Sequence, residues 1–171
     1  MARTPRDFEE SPMLKGLAIK MVDTFPELLE GVNPDDIFFA MCVSKQPSNS
    51  KPVIIAGVTS PLSRKVSQKP WQIAFYAETW ERWTDARRNA EMLHVLYSIG
   101  EDEGKYRKPD IQDFRIFIRT LGTEWDDDNN AELLDVLKDA VHFYVPDTQD
   151  DGSSTDIQMP NIDPTDEGLT F

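Results

Sequence analysis

The apolar positions along the chain change period several times, and each change marks an element. Residues 1–10 are polar and read as a flexible N-terminus. Ser11 followed by Pro12 then has the form of a helix start, a hydroxyl cap with proline at the first helical position. Leu14, Leu17, Ala18 and Met21 recur behind it at three- and four-residue spacing, which predicts an amphipathic helix. Phe25-Pro26 breaks it before a short turn over Glu27 to Leu29, and Asn33-Pro34-Asp35 is loop chemistry. The run Ile37 to Val43 is short, apolar and aromatic-rich, which suits a strand buried on both faces. A polar stretch over 45–52 leads to a second strand, Val53 to Val58, and a hairpin is the economical way to join the two. A basic loop with Arg64, Lys65 and Lys69 precedes a third strand over Trp71 to Tyr76.

The period then returns to that of helices. Thr84 with Asp85 opens a helix that runs to about Ile99 and ends at Gly100, and Asp110 with Asp113 opens another that Gly122 closes. Residues 131–144 predict a last amphipathic helix, apolar through Leu133, Leu134, Val136, Leu137 and Val141, acidic on its outer face and stopped by Pro146. Beyond it, few large apolar residues are available to offset the entropy of ordering, so 147–171 reads as a disordered acidic tail. The expected fold is α+β, with a small, mostly antiparallel sheet of three or four strands packed by helices. The expected divisions are a body over 11–125, an acidic helical extension over 126–146 and the tail.

Charge changes this picture. Of the formal net charge of −13 over 171 residues, −12 falls in residues 126–171, where 13 acids face Lys138 alone. A polyanion of that density repels phosphates and attracts a basic groove within about 8 Å at physiological salt, so direct nucleic-acid binding is disfavoured. No run approaches the roughly 18 apolar residues that span a bilayer, and the single cysteine, Cys42, has no internal disulfide partner. A soluble intracellular protein with no membrane partner is expected.

The helix from Thr84 carries the chemical signal. Zinc peptidases of the His-Glu-x-x-His kind set two imidazoles four residues apart on one helical face, with a glutamate beside the first to take a proton from the metal-bound water. Here Ala90 stands at the first place, followed by Glu91 and then His94 at the right spacing. A lone Glu-x-x-His is common by chance, and its histidine is more often packed than ligating. The order of segments around it is more specific. Phe75-Tyr76, Glu78-Thr79-Trp80, Glu81-Arg82-Trp83, the helix through Ala90-Glu91-Met92-Leu93-His94 and then Gly104 to Phe114 together resemble the phage metallopeptidase family, as do the upstream helix and strands. The resemblance covers roughly residues 11–122 and implies a minimal zincin-like fold. It also implies the roles: Ala90 at the first ligand position, Glu91 as the catalytic acid, His94 as the second ligand, and Pro109, beside Asp110, at the third. Neither alanine nor proline brings a side-chain lone pair, so Glu91, His94 and Asp110 are expected to be vestigial, with no cofactor bound; zinc is the alternative.

Other chemistries have less support, since no phosphate loop, Cys-x-x-Cys pair or nucleophile elbow is present. The bases Arg87, Arg88, Lys105, Arg107 and Lys108 read as a solvated face near the old cleft. Trp71 and Trp80, at least, suit core packing, whereas Trp125 stands directly before Asp126-Asp127-Asp128 and is expected as an interface anchor. With Asp135, Asp139, Asp150 and Asp151, these four residues form the expected partner-binding set. The resulting expectation is a non-catalytic phage or prophage accessory protein in the bacterial cytoplasm. It would bind a host protein with a basic nucleic-acid-binding surface, such as an RNA polymerase or a defence nuclease, and inhibit or regulate it. A divergent zinc-dependent metallopeptidase and a structural or assembly adaptor are the alternatives.

Overall fold

A computed structural model describes residues 7–48, 50–57, 68–99, 106–107, 114–128, 130–139 and 141–143. Gly100, Pro109, Asp110, Asp113, Asp150, Asp151 and the expected tail lie outside them. The elements are β1 (Phe8–Glu10), α1 (Pro12–Thr24), a single 3-10 turn (Pro34–Asp36), β2 (Ile37–Cys42), β3 (Val53–Gly57), β4 (Trp71–Tyr76), α2 (Ala77–Arg82), α3 (Asp85–Ser98) and α4 (Arg115–Leu121). The class is α+β, as expected. None of these helices is long and apolar enough to cross a membrane.

Local chemistry accounts for the helix ends. The Ser11 hydroxyl accepts from the Leu14 N–H and Pro12 occupies the first helical turn, while Phe25 ends α1 with its N–H on the Met21 carbonyl. Thr84 caps α3 through the Arg87 N–H, and Gly122, at φ +90°, takes the backbone conformation that closes α4. The start of α2 has no side-chain cap, because the chain leaves β4 directly into the helix, a turn the sequence pattern does not signal.

The sheet order β1-β2-β4-β3 departs from the sequence reading in two places. Residues Phe8–Glu10, expected in a flexible N-terminus, pair antiparallel with β2, Phe8 facing Cys42 and Glu10 facing Ala40. More consequentially, β2 and β3 are not a hairpin: β4 lies between them, parallel to β2 and antiparallel to β3. Two of the three pairings are antiparallel, but the central one is parallel, so the sheet is mixed. The physical reason is the composition of β4. Trp71, Ile73, Ala74, Phe75 and Tyr76 are all buried, and only an interior position shelters both faces of a strand. In β3, every residue is half-exposed, as suits an edge.

One face of the sheet builds the core. Ile37 and Phe39 of β2 with Trp71, Ile73 and Phe75 of β4 pack beneath Leu14, Ala18 and Met21 of α1 and Met92, Leu93 and Leu96 of α3. Ala40 and Cys42, on the opposite face of β2, are also buried, whereas Phe38 beside them is 37% exposed.

The described residues of the acidic stretch after Trp125 do not form the expected helix. Among the described residues of 126–143, the chain makes turns, because its own side chains compete for backbone donors. Asn130 Oδ1 accepts from the Glu132 N–H, Asp135 Oδ1 from Leu137 and Asp139 Oδ2 from Asp135. Of the apolar residues the pattern picked out, Val136 is 2% exposed and joins the core with Leu133, Leu137 and Val141 packed against it, whereas Leu134 is 48% exposed. This strap is therefore a continuation of the body.

Candidate functional site: the cavity over helix α3

Helix α3 places the site because most of its circumference is enclosed. Ala90, Met92, Leu93, Val95 and Leu96 fill the core, and the next positions around the helix carry Arg87, Glu91 and His94 toward its remaining side. Glu91, His94, Val95 and Ser98 form the floor of a cavity of about 390 Å³. Val53 and Ile55 of the edge strand β3, Tyr106 and Phe114 also line it, with Lys51 and Arg107 as its basic residues. Tyr106 closes against the strand by donating its hydroxyl to the Ile55 carbonyl at 2.7 Å.

The surroundings of Glu91 decide what the floor can do. Its carboxylate is ion-paired with Arg87 Nη2 at 3.1 Å, one helical turn earlier, and the two side chains are only 8% and 7% exposed. Arg87 is itself held on all sides. Its guanidinium lies 4.9 Å from the Trp83 ring and 5.0 Å from the Trp125 ring, and Nη1 donates to the Trp125 carbonyl at 3.3 Å. Its Nε lies 3.8 Å from Asp128 Oδ1 and has no hydrogen-bond acceptor, while that same Asp128 oxygen accepts from Trp83 Nε1 at 2.7 Å. His94 is ringed by aromatics, with Trp125 at 4.8 Å, Phe117 at 5.1 Å and Phe114 at 5.4 Å between ring centroids.

The expected site residues thus separate. Glu91 and His94 come together in one cavity, as their spacing requires. Ala90 is fully buried in the core. Trp125, expected as an interface anchor, is 3% exposed and packs on His94, Phe117 and Arg87 within the chain. Asp135 is likewise turned inward, 7% exposed and accepting from Asn89 Nδ2 at 2.6 Å. Burial raises its carboxyl, but the bonds from Asn89 and the Leu137 N–H, together with Lys138, outweigh that and hold it below the ordinary aspartate range. Asp139 spends one oxygen on the Asp135 N–H. Asp126, Asp127 and Asp128 are exposed and border a second cavity, of about 470 Å³, with Arg82, Trp83 and Arg87. Sequence reasoning counted Arg87 among surface bases; the signal it passed over is the spacing of Arg87 and Glu91, four apart on one helix face.

The family described as Putative phage metallopeptidase matches residues 6–136. The chain belongs to this family. No curated protein and no solved structure matches it. The phage metallopeptidase match begins before β1 and ends at Val136, so it takes in the N-terminal edge strand and the first part of the strap, including Asp135, which accepts from Asn89 of α3. The family description implies a metal centre, and the donor set around Glu91 and His94 can be tested against it. Ala90 and Pro109 bring no lone pair, and among the described residues no three His, Cys, Asp or Glu side chains converge. Glu91 already faces a guanidinium. Among the described residues, no three-ligand set for zinc is assembled.

Proposed function

We propose that this phage metallopeptidase family member is a non-catalytic binding protein, with the peptidase cleft kept as a recognition surface and its chemistry withdrawn. The observation that carries the reading is the buried ion pair of Glu91 with Arg87 beside Ala90. A glutamate that is to receive a proton from a metal-bound water needs the metal next to it and freedom to face the water. Here one neighbour is a methyl group in the core, and the carboxylate is engaged by a cation clamped between two indoles. The partner class we favour is a host protein with a basic, nucleic-acid-handling surface, supported by the −12 charge of residues 126–171 and by exposed Asp126, Asp127 and Asp128.

Two measurements test this. Elemental analysis of the purified chain is expected to give far less than one zinc per molecule, and denatured casein incubated with it is expected to stay intact. Stoichiometric zinc that disappears in His94→Ala, or casein cleavage that disappears in Glu91→Gln, overturns the reading. Those results would establish the second reading, a divergent metallopeptidase, which the shared cavity of Glu91 and His94 favours.

A further inference from the structure

The turn that follows α1 and the strap enclose a groove that is apolar within and acidic at its edge. We infer that this groove receives an aromatic side chain flanked by lysines or arginines on a partner protein. The inference rests on the non-catalytic binding reading above and names where its basic partner makes contact. A cavity of about 410 Å³ is lined by Phe25 and Leu28 after α1 and by Val136, Leu137, Val141 and Phe143 of the strap. Leu28 and Val136 are buried, whereas the other four are half-buried and leave apolar area to water. Phe25 and Phe143 meet edge to face at 5.6 Å, so an entering ring finds aromatic neighbours from both segments. A neighbouring cavity of about 500 Å³ shares Thr24 and Leu137 with it and adds Leu17, which leaves room for the chain on either side of that ring.

Charge selects the neighbours of that side chain. Glu27 and Asp139, both exposed, are the described carboxylates on the lining, with His142 beside them. Helix α1 also ends here with no basic residue in its last turn, so the partial negative charge of its terminal carbonyls favours an incoming cation. In the neighbouring cavity Lys138 is spent on Asp85 and Asp135, at 3.2 and 3.1 Å, which leaves Lys20 against Asp23. The sequence after Phe143 adds acids and neither lysine nor arginine, and the bases outside the described residues fall in 1–6, 58–67, 100–105 and 108–113, none next to the lining in sequence. Aromatic rings set among lysines and arginines are what a surface presents when it stacks and neutralises single-stranded nucleic acid, so the groove meets such a surface through the same side chains. A phosphate or a fatty-acid headgroup carries the charge that Glu27 and Asp139 repel.

The test titrates the full chain by calorimetry, at about 0.15 M salt, with three capped pentapeptides: one with phenylalanine between two pairs of lysines, one with the phenylalanine changed to serine, and one with the lysines changed to glutamates. The first is expected to bind about tenfold more tightly than the serine peptide, and the glutamate peptide not at all. Glu27→Gln is expected to weaken the first peptide about twofold and Glu27→Lys about fivefold. Glu27 is exposed, so both variants keep the parent circular dichroism spectrum. Backbone amide shifts in NMR spectra locate the contact: those of Leu28, Leu137 and Val141 are expected to move with the phenylalanine peptide and to stay in place with the serine one. Equal binding of the serine peptide, indifference to Glu27→Lys, or shifts confined to other residues overturns the inference and assigns the binding to the acids of 126–171 at large. No binding of the first peptide overturns it too. If changing Tyr144 and Val145 to serine in the full chain tightens the peptide tenfold, or if the peptide splits a dimer, the groove belongs to this chain itself or to a second copy, which also overturns it. Casein incubated with the same preparation keeps the two readings apart: cleavage refutes the non-catalytic function, whereas absent peptide binding with intact casein refutes only the docking groove.

Discussion

Replacing Glu91 by glutamine tests what the residue now does. The Arg87–Glu91 pair is 3.1 Å long and more than nine-tenths buried on both sides, so the charge it holds cannot be recovered from solvent. Deleting one member of such a pair costs about 3–5 kcal/mol, because the other is left buried without compensation. Glutamine keeps the volume and an oxygen for Arg87 Nη2, and Arg87 retains the Trp125 carbonyl and two indole faces. The loss is then the difference between a charge-assisted and a neutral hydrogen bond plus part of the exposed penalty, about 2 kcal/mol. For a domain of this size that lowers the melting temperature by roughly 4–8 °C. Urea denaturation followed by tryptophan fluorescence reads it as a lower midpoint at unchanged slope. The double variant Arg87→Met with Glu91→Leu is expected to regain much of the loss, since an apolar pair of similar volume often replaces a buried ion pair at no cost. If Glu91→Gln and Arg87→Met each leave the midpoint within about 0.5 kcal/mol of the parent, the pair is not structural and the reasoning fails.

Three further outcomes are expected. Trp125→Ala empties a buried site against His94, Phe117 and Arg87 and is expected to cost about 3–5 kcal/mol in the same assay. Ala90→His, which restores the missing ligand type, is expected to destabilise by about 1–3 kcal/mol because Ala90 is fully enclosed, and to raise the zinc content little. The Asp135 carboxyl is held below its ordinary value of 3.8 in the folded chain, so its contribution is complete above that value and is lost as the pH falls through the lower, folded one. Acid unfolding curves of the parent and Asn89→Ala should therefore converge at the acid end and separate toward neutrality, and parallel curves would show that the Asn89 bond does not set this dependence.

Much of the scaffold was legible because short-range chemistry specifies it. Ser11-Pro12, Thr84 and Gly122 mark helix ends by groups that act on the next turn, and Ile37 to Cys42 and Trp71 to Tyr76 announce strands by composition. Strand order was not legible, because pairing β4 between β2 and β3 depends on which strand has most to bury, a comparison across the whole sheet. The apolar spacing of 131–144 suggested a helix and correctly named Val136 as an inward residue, but side-chain bonds of Asn130, Asp135 and Asp139 to nearby N–H groups decided the backbone. At the site, the spacing of Glu91 and His94 was visible in one dimension. The enclosure of Trp125 was not, since its partners on α3 and α4 lie at least eight positions away.

The place of β4 in the middle of the sheet also sets an order of events for a nascent chain. Until residues 71–76 have been made, β2 has a bare edge on one side, and β3 has no strand to join. A chain halted at residue 70 therefore presents Ile-Phe-Phe-Ala-Met-Cys and Val-Ile-Ile-Ala-Gly as two unsatisfied β-prone segments, each a template for pairing with its counterpart on another molecule. Arrival of Trp71–Tyr76 satisfies both at once, and in doing so turns a sticky intermediate into a sheet with β1 and β3 at its edges. Truncated forms ending in this interval should accumulate as aggregates, whereas chains continued through β4 and the helices that cover it should remain dispersed.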